Sequence, residues 1–240
     1  MGSLSDFSEN ALLNHICGTA YPPPAAVYLA LCTADPTDAG TGASMNEVAN
    51  SGAYARKAIT FSAAASRVVT QSATVTFDQA TGGWGTITHY AIVDSATHGA
   101  GNLLAYGALG TAKSVVSGNT PSVVSAQVTV AFSTGAMGTA VANKLLDLMF
   151  RNTAYSQPST YVALTTATLS DSSDAGSMSE VSGGSYARVL VNKAGGASPA
   201  WNSVASGATD NANAVTFATA AASWGTVVAA AIVSSVSGAG

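Results

Sequence analysis

Two pairs of opposite charge recur along this chain: Glu47 with Arg56, and Glu180 with Arg188. A carboxylate and a guanidinium at that spacing can work as an acid–base pair. More simply, they form one bidentate ion pair that pins a loop to the strand after it. Only 8% of the 240 residues are charged, so a pair kept twice reads as a structural pair. A second acidic set, Asp35 with Asp38 and Asp171 with Asp174, lies on Gly- and Ser-rich loops. Calcium would need more oxygen ligands, and the twelve-residue EF-hand pattern is missing, so turn formation is the simpler role. The run "THYAIVDS" contains His89, Asp94 and Ser95, the ingredients of a hydrolase triad. An odd separation puts His89 and Asp94 on opposite faces of one strand. Ser95 sits in no G-x-S-x-G elbow, and the second copy has Ala229, Ser234 and Ser235 there. His15 and His98 stand apart from other ligand types, so no zinc pattern forms. Neither catalysis, metal nor cofactor is expected.

The strongest repeated signals are bulky. Phe77 and Trp84 recur as Phe217 and Trp224, each Trp just before Gly-Thr. Such aromatics serve either as core anchors at a sheet corner or as an interface for sugar, and the core role is the expectation. Cys17 and Cys32 have no counterparts in the second copy. They read as two small buried thiols, with a disulfide as the alternative.

These residues are carried by a duplicated module. Tyr28, Met45 and Glu47 recur 133 residues on, as Tyr161, Met178 and Glu180. The segment "VTFDQATGGWGTITHYAIVDS" from Val75 recurs as "VTFATAAASWGTVVAAAIVSS" from Val215. The openings match too, "NALLNHICGTAY" at Asn10 against "NKLLDLMFRNTAY" at Asn143. A period of domain size argues for two tandem copies rather than a solenoid. The division expected is residues 1–134 and a shorter second copy over 135–240. The first copy continues through "NLLAYGALGTAKSVVSGNTPSVVSAQVTVAF", and the second has no such run. An open sheet edge in the second module, completed by a strand from elsewhere, is therefore expected.

Each module should begin with a helix. Ser5 or Asp6 can cap the first, Leu12, Leu13 and Ile16 give it an apolar stripe, and Gly18 stops it. The second helix, over "TAVANKLLDLMFRN", has the stronger apolar face. Pro22–Pro24 then forces extended chain. "AVYLALCTA", "GAYARKAITFS", "SATVTFDQAT", "WGTITHYAIVDSAT", "LLAYGALGT" and "SVVSAQVTVAF" read as strands between Gly- and Ser-rich turns. The fold class is mainly β: two tandem antiparallel sandwich or barrel-like modules, each with an N-terminal helix.

Composition narrows the function. Ordinary soluble domains carry about 25% charged residues; here Ala, Ser, Thr, Gly and Val dominate instead. Such a surface repels its neighbours weakly and suits a protein packed in an assembly. The net charge is −4 and the basic residues are scattered, so nucleic acid is not an expected partner. No apolar run approaches the length that spans a bilayer, and "MGSLSDFSEN" has no basic region of a signal peptide. Synthesis in the host cytoplasm and a non-membrane role are the expectations.

The string "LSDFSENALLNHICGTAYPPPAAVYLALCTADPTDAGTG", with "NEVANSGAYARKAITF" and "WGTITHYAIVDSATHGAGNLLAYGAL" after it, resembles a family of small tailed-bacteriophage virion proteins. Members are commonly labelled tail-fibre or minor structural proteins. The resemblance covers nearly all of residues 3–132. It extends more loosely over 136–240, which keeps "YVALTTA", "SEVSGGSYAR" and "WGTVVAAAIV" but lacks "NLLAYGAL". It implies a non-enzymatic virion structural protein and no catalytic residues. No heptads or short stalk repeats are visible. The leading expectation is therefore a capsid decoration (cement) protein. It would be a homo-oligomer on the virion, binding the major capsid protein lattice and neighbouring copies of itself. The alternative is a tail-fibre or baseplate-associated protein in host attachment, with tail proteins and host glycan as partners.

Overall fold

The computed structural model describes residues 2–135 and 137–237. Its first repeat contains β1 (Ser3–Leu4), α1 (Asp6–Cys17), β2 (Val27–Cys32), β3 (Lys57–Ile59), β4 (Val68–Thr70), β5 (Val75–Thr76), β6 (Gly85–Val93), β7 (Leu103–Val115), β8 (Ser122–Val123) and β9 (Thr129–Ala131). The second contains α2 (Thr139–Arg151), β10 (Thr160–Thr165), β11 (Val189–Val191) and β12 (Ala229–Val233). The chain is mainly β, with antiparallel sheets and no closed barrel among the described residues.

The principal sheet of the first repeat runs β1-β7-β6-β2-β3. Its centre is uniformly apolar: Leu29, Ala30, Ala91, Ile92, Leu103 and Leu104 are fully buried. Cys32, Met45 and Val93 pack with Ala30, Ala91 and Leu103 in one cluster. Two small sheets, β4-β9 and β5-β8, complete the repeat. The single strand expected over "SVVSAQVTVAF" is divided into β8 and β9. Ala126 takes a positive φ of 65° between them. Gln71 holds the break, donating to Val123 O at 3.0 Å and accepting the Val128 N–H at 3.2 Å.

The sheet of the second repeat runs β11-β10-β12, the counterpart of β3-β2-β6. Strands in the positions of β7 and β1 are absent from it among the described residues.

The helices begin as their sequences dictate. Ser5 Oγ accepts the Ser8 N–H at 3.3 Å at the start of α1, the usual N-cap role. Along α2, Leu145, Leu146, Leu148, Met149 and Phe150 are buried, each stabilising its surroundings by about 1.5–3 kcal/mol.

Where these faces are buried is not visible in the sequence. The chain forms two compact units. One holds Met1–Glu9, Pro22–Ser133 and Ala142–Tyr155; the other holds Asn10–Tyr21, Thr134–Val141 and Ser156–Gly240. The compact units do not follow the two sequence repeats, because most of each helix lies with the strands of the other repeat. In the first unit, Phe150 of α2 meets Phe61 at 5.5 Å between ring centroids. Asp147 and Asn143 accept the backbone N–H groups of Ala64 and Arg67 at 2.9 and 2.8 Å. In the second unit, Leu13, Ile16 and Cys17 of α1 pack with Val191 and Trp201. There Asn10 accepts the Gly207 N–H at 2.9 Å, and Lys193 donates to the carbonyls of Pro158, at 2.6 Å, and Ile16.

Candidate functional site

The charged residues picked out by type and spacing form one arrangement, built twice. After β2 the loop returns so that Glu47 bridges Cys32 in backbone pairing; Glu180 bridges Thr165 in the same way. This brings each carboxylate to the arginine that immediately precedes the following strand, Arg56 before β3 and Arg188 before β11. Arg56 donates from Nε to Glu47 Oε1 at 2.8 Å and from Nη2 to Oε2 at 2.7 Å. Its other donors go to the carbonyls of Gly42, Ser95 and Ala100 at 2.8–2.9 Å. A guanidinium has five donors, and all five are used. Arg188 repeats the pattern, with Glu180 at 2.8 and 2.6 Å and the carbonyls of Ala175, Ser235 and Ser237 at 2.8–3.0 Å.

A tyrosine completes each network. Tyr54 donates its hydroxyl to Glu47 at 2.9 Å and accepts the Leu31 N–H at 3.0 Å. Tyr186 does the same with Glu180 and Leu164, both at 2.8 Å. Charge and spacing alone point to neither tyrosine. The signal is the shared "YAR" of Tyr54–Arg56 and Tyr186–Arg188, the three residues that lead directly into β3 and β11. Three carbonyls and a carboxylate around one buried arginine join the β2–β3 loop to the turn after β6. That turn is fixed from within, since Asp94 accepts from Asn102 N and Nδ2, both at 2.7 Å. Gly101 is required there: at φ 81° a Cβ would stand 2.4 Å from Asp94 Oδ1.

The aromatics rest on the same tyrosines. Tyr54 stacks on Phe77 at 6.2 Å and meets the edge of Trp84 at 5.2 Å. Tyr186 stacks on Phe217 at 6.0 Å and meets Trp224 at 5.5 Å. Trp84 and Trp224 each donate their indole N–H to a glycine carbonyl, Gly52 at 2.8 Å and Gly184 at 2.9 Å. Phe77 and Trp84 are buried, whereas Phe217 and Trp224 are half-buried.

The electrostatics favour a fixed network over proton transfer. The hydrogen bonds from Arg188 hold the Glu180 carboxyl below its usual range, and those to Glu180 raise Arg188. Burial pushes Tyr186 up to about 12 and raises Tyr54 further. Burial likewise pushes Cys17 to about 11 and Cys32 to about 12. Both are free, buried thiols, so the disulfide alternative is not realised, and neither is an activated nucleophile.

Of the remaining polar residues only His98 reaches the first network among the described contacts, with Nε2 3.7 Å from Glu47 Oε2 and its ring 6.3 Å from that of Tyr54. His89 Nδ1 meets Thr88 Oγ1 at 2.9 Å, Asp94 is held by Asn102, and Ser95 Oγ accepts the Thr97 N–H at 3.2 Å. His98 donates to Val48 O at 2.9 Å. Asp35 and Asp174 accept backbone N–H groups in their own turns. Among the described residues no three His, Cys, Asp or Glu side chains are grouped to hold a metal ion. No helix among them is long and apolar enough to cross a membrane. An open cleft in the first unit is lined by Ile87, Leu109, Lys113, Val115 and Val123 among others, with no aromatic residue.

Fold and network together define a duplicated, mainly β structural module whose conserved-in-copy charges are spent on holding loops. A family model described as Podophage GP4 fiber I protein gp80 matches residues 3–131 and again residues 136–240. The chain belongs to this family of phage structural proteins. A search of curated proteins finds no match.

Proposed function

We propose that this chain is a non-enzymatic fibre component of a podophage virion, a scaffold that presents β modules on the tail side of the particle. The observation that carries the reading is the family match to both repeats, under a fibre description. The twin arginine networks support it: every donor of Arg56 and Arg188 is consumed in holding loops, which leaves them no part in binding or turning over a substrate. This moves the fibre alternative ahead of capsid decoration. The low-charge, small-residue surface serves a fibre assembly as well as it serves a capsid lattice.

Immunogold electron microscopy of intact virions tests the reading. Antibody raised against the chain should label the tail end of each particle. Label spread evenly over the head would overturn it in favour of a decoration protein.

A further inference from the structure

The pairing of β6 with β7 is interrupted. Ile87 stands opposite Lys113 and His89 stands opposite Ala108, with a register shift between the two pairs. Thr88 alone therefore faces Leu109, Gly110, Thr111 and Ala112, and β7 is bulged there. A cleft of about 500 Å³ opens at the bulge, lined by Leu109, Gly110 and Thr111 among others. Small-molecule sites run from about 300 to 1,000 Å³. The floor of the cleft is core: Leu31, Ile87 and Val115 line it and are 4%, 2% and 5% exposed. No aromatic ring and no carboxylate lines it.

The chain has eight basic residues, and seven of them are engaged. Arg56, Lys57, Arg151 and Arg188 pair with carboxylates. Arg67 and Lys193 donate to backbone carbonyls, and Lys144 lies over the Tyr155 ring. Lys113 is the one without a hydrogen bond or ion pair among the described residues, and it lines this cleft. Exposed apolar bulk gathers at the same place. Among the described residues of the first unit, the exposed large apolar side chains are Val116 and Val124, at 55% and 54%. Val124 lines the cleft, and Val116 follows Val115 of its floor.

We propose that this cleft binds a single-chain anionic amphiphile, a fatty carboxylate, with its aliphatic chain over Leu31, Ile87 and Val115 and its head group at Lys113. Removing the chain from water supplies the affinity. The lysine selects the head group, since its ammonium forms a charge-assisted hydrogen bond with a carboxylate. A cationic head meets no counter-charge in this lining. A sugar or a base finds no ring to stack on. The volume suits a whole small molecule, and the exposed valines at the rim cover the part of the chain that leaves the floor.

The test uses the full chain and decanoate below its micellar concentration, followed by calorimetry and hydrogen exchange. Decanoate should bind saturably and slow exchange at the amides of 109–115 and 122–124. Decanol lacks the charge and butyrate lacks the chain, and both should bind more weakly. Lys113→Met keeps an unbranched side chain at an exposed position and should weaken decanoate by about fivefold, the loss of one exposed ion pair. Val124→Asp, also at an exposed position, brings a carboxylate into the lining and should weaken it by a similar factor. Both variants should unfold like the parent. Four results would overturn the proposal: no saturable binding, decanol bound as tightly as decanoate, equal binding to K113M, or protection confined to other parts of the chain. Binding to anionic phospholipid vesicles with none to decanoate would overturn the named occupant and assign the cleft to a membrane surface.

Discussion

Asn143 on α2 accepts the backbone N–H of Arg67 at 2.8 Å. Asn10, which opens the matching "NALL" run of the first repeat, accepts the N–H of Gly207 at 2.9 Å. Gly207 follows Arg67 by the same 140 residues that separate Trp84 from Trp224. The two asparagines therefore make equivalent bonds, each to a residue of the other repeat. Replacing Asn143 with Ala leaves the Arg67 N–H unsatisfied. It should cost about 1–3 kcal/mol, read from urea unfolding of the full chain. Asn10→Ala should act similarly. If both variants unfold like the parent, the exchanged helices are not held through these bonds.

The exchange shows where sequence reading stops. The duplication, the β class, the helix caps and the charged pairs follow from spacing and residue type. The choice of partner for each helix does not. α1 and α2 come from one ancestral pattern, and the two sheet modules offer equivalent surfaces. An apolar stripe such as Leu145, Leu146 and Met149 says that a face is buried, not which copy buries it. Short strands such as β4 also escape, since Val68–Thr70 is too brief to show a period.

Arg56→Lys tests the buried network. Its side chain is 0% exposed, and lysine offers three donors where five are used. Stability should fall by about 3 kcal/mol or more. Arg188→Lys should cost less, because Glu180 is 19% exposed. Equal and negligible losses would show that the networks do not hold the loops.

Acid should act on the second module through Glu180. Its carboxyl sits lower in the folded chain than its ordinary value of 4.5, chiefly through Arg188. A group depressed by folding stabilises above its unfolded pKa, and that contribution is lost as pH falls through the folded value. Unfolding followed from pH 7 downward should show a loss beginning near 4.5 and growing below it. In Glu180→Gln that part of the slope should disappear. An unchanged slope would contradict the assignment.

Trp84→Phe keeps most of the packing against Tyr54 and Phe77 and removes the indole bond to Gly52. A loss of about 1 kcal/mol is expected, against about 3–5 kcal/mol for Trp84→Ala. Both are read as shifts in the thermal midpoint. A glycan platform would behave differently: Trp84→Ala would leave the midpoint unchanged and abolish sugar binding.

Burial predicts silent thiols. Cys17 and Cys32, raised to about 11 and about 12, should resist a thiol-reactive dye at pH 8 in the folded chain. Both should react after denaturation. Fast labelling of either in the native protein would contradict their place in the core.

The central claim is that this family member serves the fibre side of the virion, and its copy number tests that most directly. Quantitative mass spectrometry of purified particles gives the ratio of this chain to the major capsid protein. The fibre reading predicts a ratio far below one, as a tail complex present once per particle requires. A ratio near one, or a simple lattice fraction, would contradict it and place the protein on the head.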